Sequence, residues 1–212
     1  MIENKLMIKA ILFDINGTLS EIWTSEVDDN LYRTVSNFLD FQGVKIDPLK
    51  LKQEYFAINE RQRLNDEDHA EFDAVALFKE IIEKYQTPFT KTLSAEKLKQ
   101  LPVITAELYR GASRFSLKLY DGVQETLDKL RKKYKLACVS DAQSAWALPE
   151  LNSVGLLDYF SPIIVSGDYG YRKPDKRLFE KALKNAKGEK LDHFKYNIEK
   201  EELAQIKQEL AW

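Results

Sequence analysis

Residues 8–19 constrain the fold of this chain more than any other stretch of its sequence. They begin with a nearly continuous apolar run that ends at Phe13, which is typical of a strand buried on both faces of a parallel sheet. The run stops at the carboxylate of Asp14, and Gly17 then allows a sharp turn. Because ligands of open α/β sheets bind beyond the carboxyl ends of the strands, Asp14 is a candidate nucleophile or metal ligand. The alternative is that Asp14 only caps the following turn.

The composition is that of an ordinary globular protein. The 212 residues are enough for one domain with an inserted subdomain, and 44% of them are hydrophobic. Lys and Arg number 32 against 34 Asp and Glu, and the net charge of -2 argues against nucleic-acid binding. Cys138 is the single cysteine, which excludes an intrachain disulfide and favours a cytoplasmic location. We expect no signal peptide and no membrane-spanning segment.

Residues 20–115 are predicted to form helices and no strand. Ser25 is a candidate cap for the first helix, and Asp47 precedes a proline that suits the start of the second. An apolar stripe predicts a third helix from about residue 70 to residue 85. Pro102 is expected to kink or split the fourth. The sequence therefore predicts a small helical bundle inserted after the first strand.

From Tyr120 onward, the pattern changes to alternating helices and strands. The strands are predicted at residues 136–139 and 162–165. This alternation predicts right-handed βαβ crossovers and a parallel sheet. Ser140 and the loop that carries Lys173 then lie at the same edge of the sheet as Asp14.

An aspartate, a serine and a lysine at three strand ends form a coherent chemical set. A carboxylate can attack phosphorus or an activated carbon and form a covalent intermediate. A hydroxyl and an ammonium can hold the oxygens of a transferring phosphoryl group as negative charge builds on them. The alternative is that Ser140 is a helix cap and Lys173 a surface cation.

Three ordered motifs are similar to those of the haloacid dehalogenase superfamily, subfamily I, whose members carry a helical cap after the first strand. The motifs are residues 13–19, 138–141 and 167–175. The resemblance extends from residue 8 to about residue 186 and implies an α/β fold, a Rossmann-like parallel sheet core with an inserted α-helical cap. Two domains are expected, a core from residues 1–20 and 116–212 and a helical cap from residues 21–115.

The resemblance also implies a role for individual residues. Asp14 matches the nucleophile, and Thr18 matches the hydroxyl that orients it. Ser140 matches the phosphate ligand of the second motif, and Lys173 matches the lysine that stabilises the nucleophile and the substrate oxygens. The implied phosphate-binding set comprises Gly17, Ser140, Asp141 and Lys173.

The chain departs from the phosphatases of this family at Asn16, where they carry a second aspartate. That aspartate protonates the leaving oxygen and later activates water, whereas an amide cannot exchange a proton. General acid–base groups contribute about 10²–10⁴-fold to a rate. The backbone carbonyl of Asn16 is still a candidate metal ligand beside Asp14. The dehalogenases of the family also lack the second aspartate and use no metal.

The fourth motif of the family is degenerate in this chain. In residues 193–202, Tyr196 takes the place of the first acid, and Glu201 takes the place of the second as a candidate metal ligand. The alternative is a charged amphipathic helix without a metal role. Because Mg²⁺ prefers carboxylate and water oxygens, we expect Mg²⁺ to be at most a weakly bound cofactor. The family continues beyond the position of Trp212 with another strand and helix, so we expect a C-terminally shortened sheet.

The sequence supports two hypotheses for the function. The first is a hydrolase that acts on a small phosphorylated or halogenated substrate through Asp14 and is impaired by Asn16. The second is a catalytically inactive relative that serves as a binding or regulatory module, or a truncated family member. We expect a small molecule as the partner, and neither nucleic acid nor a membrane. Substrate identity, turnover and oligomeric state stay open at this point.

Overall fold

A computed structural model describes residues 8–64 and 67–185 of the protein. The elements follow one another as β1 (Ala10–Phe13), β2 (Ser20–Thr24), α1 (Asp29–Phe41), α2 (Pro48–Arg63), α3 (Ala74–Tyr85), α4 (Ala95–Ser113), β3 (Arg114–Leu119), α5 (Val123–Leu130), β4 (Lys135–Ser140), α6 (Ser144–Ser153), β5 (Ile163–Val165) and α7 (Lys176–Asn185). Residues 186–212, which include Tyr196 and Glu201, lie outside the described residues, and so does the expected shortening of the sheet.

The central sheet is parallel and has the strand order β1-β4-β5. Phe13 pairs with Cys138, and Ser140 pairs with Val165, so the carboxyl ends of the three strands meet at one edge. Cys138 packs in a cluster with residues of α5 and α6, whereas Val139 packs with residues of α7. Helices therefore cover both faces of β4, and the predicted α/β fold with a parallel core is confirmed.

Helices α1 to α4 and the segments that connect them, here called the helical block, pack around their own cluster of buried aromatic and aliphatic side chains. Its largest fully buried side chains include Tyr32, Tyr55, Tyr109 and Phe78. Trp146 of α6 joins this cluster and donates its indole N–H to the carbonyl of Ala106 at 2.9 Å. The helical block is therefore packed against α6 through apolar and polar contacts.

Several helix boundaries differ from the predicted ones because other residues supply the caps. Asp28 caps α1 in place of Ser25. Asp73 accepts the N–H of Ala76 and caps α3, so this helix begins four residues later than expected. Pro102 lies inside α4, which runs unbroken from Ala95 to Ser113.

The prediction of helices alone in residues 20–115 is wrong at both ends of that range. Strands β2 and β3 pair antiparallel, with Ser20 opposite Leu119 and Trp23 opposite Ser116. Each strand is too short to show its alternation clearly, and its partner lies far away in the sequence. The ribbon crosses both predicted domain boundaries, and the division into core and cap stays a prediction.

No helix in residues 8–64 and 67–185 has the length and apolar character that a membrane span requires.

Candidate active site

Asp14 and Lys173 form an ion pair at the carboxyl edge of the sheet. Asp14 follows directly after β1, and its Oδ1 lies 2.8 Å from Lys173 Nζ. The side chains are 34% and 24% exposed, so the pair lies at the surface of the molecule and not in the core. The structure thus brings together the two residues that the sequence named as nucleophile and stabilising lysine.

Asp141 fixes the backbone of Lys173. Its Oδ1 accepts the Lys173 N–H at 2.8 Å, so the loop after β4 holds the loop after β5. Ser140, the last residue of β4, is buried beside β5. The Asp141 carboxylate is therefore a support for Lys173, and its predicted contact with phosphate stays a prediction, as does that of Ser140.

The turn after Asp14 is closed by its own hydrogen bonds. Gly17 has a φ of +83°, a left-handed conformation that favours glycine, and its N–H donates to the Ser20 carbonyl at 2.8 Å. Asn16 Oδ1 accepts the Ser20 hydroxyl at 3.1 Å. Thr18 is exposed, and within the described residues no hydrogen bond joins its hydroxyl to Asp14. The predicted roles of Asn16 and Thr18 in catalysis and of Gly17 in phosphate binding stay predictions.

The described residues alone do not fit a magnesium site. Among them, no group of three or more His, Cys, Asp or Glu side chains is arranged to hold a metal ion. Asp14 supplies one carboxylate, which Lys173 already pairs, and the side-chain oxygen of Asn16 is engaged by Ser20. Mg²⁺ requires near-octahedral oxygen ligands. Glu201 lies outside the described residues, so weak Mg²⁺ binding stays a prediction.

Cys138 lies next to this site but is a core residue. Burial, and then the negative charge of Asp14, raise the pKa of the Cys138 thiol to about 12. The thiolate is the nucleophilic form of cysteine, so a thiol that stays protonated near neutral pH is inert. The candidate nucleophile at this edge of the sheet is therefore the carboxylate of Asp14.

Three buried polar residues beside these loops were not predicted from the sequence: Glu71, Gln143 and Ser166. Glu71 Oε2 accepts the Ser166 hydroxyl at 2.9 Å. The Gln143 amide bridges to the backbone of the helical block, donating to the Phe72 carbonyl at 2.7 Å. The third helix was predicted from about residue 70, which placed Glu71 inside it. The capping preference of Asp73 was a signal that residues 70–72 precede the helix.

Comparisons with known proteins show which sequences this chain resembles. A sequence model of the haloacid dehalogenase-like hydrolases matches residues 8–193. A glyceraldehyde 3-phosphate phosphatase of Methanothermobacter thermautotrophicus is 25% identical over 179 residues, which cover 84% of this chain and 71% of that relative. A phosphoglycolate phosphatase of Nitrosospira multiformis is 28% identical over 175 residues, which cover 80% of this chain and 66% of that relative.

The fold of this chain is also similar to that of a protein of known structure. A 2-haloacid dehalogenase from Pseudomonas syringae pv. tomato aligns with a TM-score of 0.54 at 23% identity. The alignment covers 85% of this chain and 73% of the dehalogenase. At this identity, the likeness shows the fold alone.

Proposed function

Because this chain belongs to the haloacid dehalogenase-like hydrolase family, we propose that Asp14 is its nucleophile and that the substrate is a small phosphorylated or halogenated molecule. One observation carries the proposal, the 2.8 Å ion pair between Asp14 and Lys173 where the strands of the parallel sheet end. Asp14 is partly exposed and can reach a bound substrate. The ammonium of Lys173 offsets the repulsion between the carboxylate and an anionic substrate.

For a phosphate monoester, the proposed reaction has two steps. An Asp14 oxygen attacks phosphorus, and the bond from phosphorus to the leaving oxygen breaks with its electron pair on that oxygen. Water then attacks the aspartyl phosphate, which releases inorganic phosphate and restores the carboxylate. Lys173 and the hydroxyl of Ser140 are the groups available to hold the phosphoryl oxygens during both steps.

Asn16 restricts which leaving groups depart readily. Its amide cannot donate a proton to the leaving oxygen, and its Oδ1 already accepts the Ser20 hydroxyl. Leaving groups that are stable as anions depart without a proton, whereas alkoxides require one. We therefore infer that the protein acts best on aryl or acyl phosphates.

Asn16 also favours a second candidate function, the displacement of halide. In that reaction, an Asp14 oxygen attacks carbon, and the carbon–halogen bond breaks with its electron pair on the halide. No proton has to reach the leaving group, and water then hydrolyses the aspartyl ester. The names of the two phosphatases that this chain resembles support the phosphorylated substrate instead.

Three substrates and one variant test the proposal. The wild type is expected to release p-nitrophenolate from p-nitrophenyl phosphate, with or without Mg²⁺, and to act about 10²–10⁴-fold more slowly on phosphoglycolate. Faster turnover of 2-chloropropionate than of either phosphate supports halide displacement. Asp14→Asn is the control and is expected to turn over none of them. Wild-type protein that is inactive on all three substrates contradicts the enzymatic proposal and favours a binding module.

A further inference from the structure

Residues 69–72 lie in the connection between α2 and α3. They run alongside the loop that carries Lys173. The Glu71 N–H donates to the Gly170 carbonyl at 2.9 Å, and the Arg172 N–H donates to the His69 carbonyl at 2.8 Å. These two bonds flank an antiparallel bridge between Ala70 and Tyr171. The backbone just before Lys173 is therefore held by a segment of the helical block.

The side chain of Glu71 is a buried carboxylate whose two oxygens are both occupied. It is 5% exposed. Oε1 accepts the Phe72 N–H at 3.0 Å and lies 2.8 Å from Arg63 Nη2, while Oε2 accepts the Ser166 hydroxyl at 2.9 Å. A buried charge is tolerated only when it is paired and its remaining lone pairs are hydrogen-bonded. Glu71 meets both conditions, so its position is tightly defined.

Ser166 extends this contact to the loop after β4. Its hydroxyl oxygen accepts the Ala142 N–H at 2.9 Å. The Ala142 carbonyl is 3.2 Å from the same hydroxyl but already accepts the Gly167 N–H at 2.9 Å. The ionised carboxylate is a stronger acceptor than the carbonyl, so the Ser166 hydroxyl donates its hydrogen bond to Glu71. Glu71 thus reaches the loop after β4 through Ser166 and the loop after β5 through its own backbone.

Gln143 holds the same segment where it enters α3. Its Nε2 donates to the Phe72 carbonyl, and its Oε1 accepts the Ala74 N–H at 2.9 Å. A methyl group on Gly167 would lie 2.6 Å from Gln143 Oε1, so a larger residue at position 167 would displace the Gln143 amide. The segment that contains Glu71 is therefore fixed at both of its ends.

We propose that Glu71 is a positioning residue that sets the geometry of the Asp14–Lys173 pair. One buried carboxylate of the helical block holds the loops that carry Asp141 and Lys173, and Asp141 in turn binds the Lys173 backbone. Glu71 acts through these loops and has no contact with substrate. The inference rests on the proposed function, because it assigns the ion pair to catalysis.

The Glu71→Gln variant tests this proposal because it keeps the shape of the side chain. The amide has one acceptor oxygen in place of two, so it cannot serve Phe72, Arg63 and Ser166 together. We expect kcat with p-nitrophenyl phosphate to fall about 10- to 100-fold, while KM changes by less than about threefold. A 10- to 100-fold increase in KM with an unchanged kcat would overturn the proposal.

Glu150→Gln is the matched control. Glu150 is also 5% exposed and accepts a hydrogen bond from Arg110 Nε at 2.7 Å, so it joins α6 to α4 of the helical block. It contacts neither loop of the candidate site through a hydrogen bond within the described residues. We expect a loss of thermal stability similar to that of Glu71→Gln, with kcat within about twofold of the wild type. Equal losses of kcat in both variants would show that docking of the helical block matters and that Glu71 has no special role.

Amide hydrogen exchange gives a readout that does not depend on turnover. The Arg172 and Lys173 N–H groups are hydrogen-bonded to His69 and Asp141, and we expect them to exchange about tenfold faster in Glu71→Gln and at the wild-type rate in Glu150→Gln. An unchanged rate in Glu71→Gln overturns the positioning role even if the wild type is active. An inactive wild type contradicts the proposed function, and the exchange rates then decide the structural claim separately.

Ser166→Ala provides a second variant if Glu71→Gln does not fold. It removes the hydroxyl that connects Glu71 to Ala142 and leaves the ion pair with Arg63 in place. We expect the same selective increase in exchange at Arg172 and Lys173 and a smaller loss of kcat, about 3- to 10-fold. Wild-type exchange and wild-type kcat in this variant would overturn the proposal.

Discussion

Glu54 in the helical block and Asp14 at the edge of the sheet are both carboxylates paired with lysine, but their surroundings differ. Glu54 is 10% exposed, and Lys84 Nζ lies 2.9 Å from both of its oxygens. The Tyr85 hydroxyl donates to the same carboxylate at 2.8 Å, and Lys50 lies 3.2 Å away. Asp14 is 34% exposed and, among the described residues, has Lys173 as its one ion-pair partner.

This difference separates a structural carboxylate from one that can react. The lone pairs of Glu54 are occupied by three donors, and hydrogen bonding from Lys84 lowers the pKa of Glu54 to about 2. A carboxylate that is saturated in this way is held in its ionised form and cannot approach a substrate. Asp14 lies at the surface and, among the described residues, pairs with one cation, Lys173. The contrast supports Asp14 as the nucleophile and Glu54 as a brace between α2 and α3.

The largest expected effect is the loss of turnover in Asp14→Asn. An amide oxygen is a poor nucleophile, so kcat with p-nitrophenyl phosphate is expected to fall at least about 10⁴-fold. Glu54→Gln is the control and should retain kcat within about twofold of the wild type, because Glu54 lies inside the helical block. Steady-state kinetics of both variants check this prediction. A rate near that of the wild type in Asp14→Asn would show that Asp14 is not the nucleophile.

The second effect concerns stability and its dependence on pH. Glu54→Gln is expected to lower the free energy of unfolding by about 1–3 kcal/mol near neutral pH, because a buried carboxylate loses its charged donors. The pKa of Glu54 is below its ordinary value of 4.5, so this stabilisation is present above pH 4.5 and is lost as the pH falls toward 2. Urea unfolding at several pH values measures the difference between wild type and variant. A difference that grows on acidification would contradict the assigned role of Glu54.

A smaller effect is expected from two tyrosines of the helical block. The Tyr55 hydroxyl is buried beside Tyr109 and makes no hydrogen bond of ordinary geometry among the described residues, whereas the Tyr32 hydroxyl donates to the Glu26 carbonyl at 2.8 Å. Tyr55→Phe is therefore expected to raise the free energy of unfolding by up to about 1 kcal/mol, and Tyr32→Phe to lower it by about 1 kcal/mol. Thermal unfolding of both variants checks the opposite signs. Destabilisation by Tyr55→Phe would reveal a partner for that hydroxyl.

The smallest expected effect is that of Asn16→Asp. The new carboxylate would lie two residues from Asp14 and repel an anionic phosphate. Among the described residues, Lys173 is the one cation that forms an ion pair with Asp14. We expect turnover of p-nitrophenyl phosphate to stay unchanged, with and without Mg²⁺. A Mg²⁺-dependent gain of about 10²–10⁴-fold would contradict this and show that only the proton-transfer group is missing.

The ion pair of the candidate site could be predicted from the sequence because its signals are local. Asp14 ends an apolar run, and Lys173 lies in a short motif that follows a predicted strand. Parallel pairing then places both residues at one edge of the sheet. The fold class followed from the same alternation of helices and strands.

The supports of the site could not be predicted, because they depend on distant contacts. Ser166 and Glu71 are 95 positions apart in the sequence, and an apolar stripe assigned Glu71 to a helix. Strands β2 and β3 were missed for the same reason, since neither has a recognisable pattern without the other. In both cases, tertiary pairing decided the local structure of a short segment.

The most direct test of the nucleophile is to trap the covalent intermediate on Asp14. Wild-type protein is mixed with p-nitrophenyl phosphate, quenched with acid and digested, and the peptide that contains Asp14 is analysed by mass spectrometry. We expect a phosphoryl group on Asp14 in the wild type and none in Asp14→Asn. Turnover without modification of Asp14, or a phosphoryl group on another residue, would contradict it.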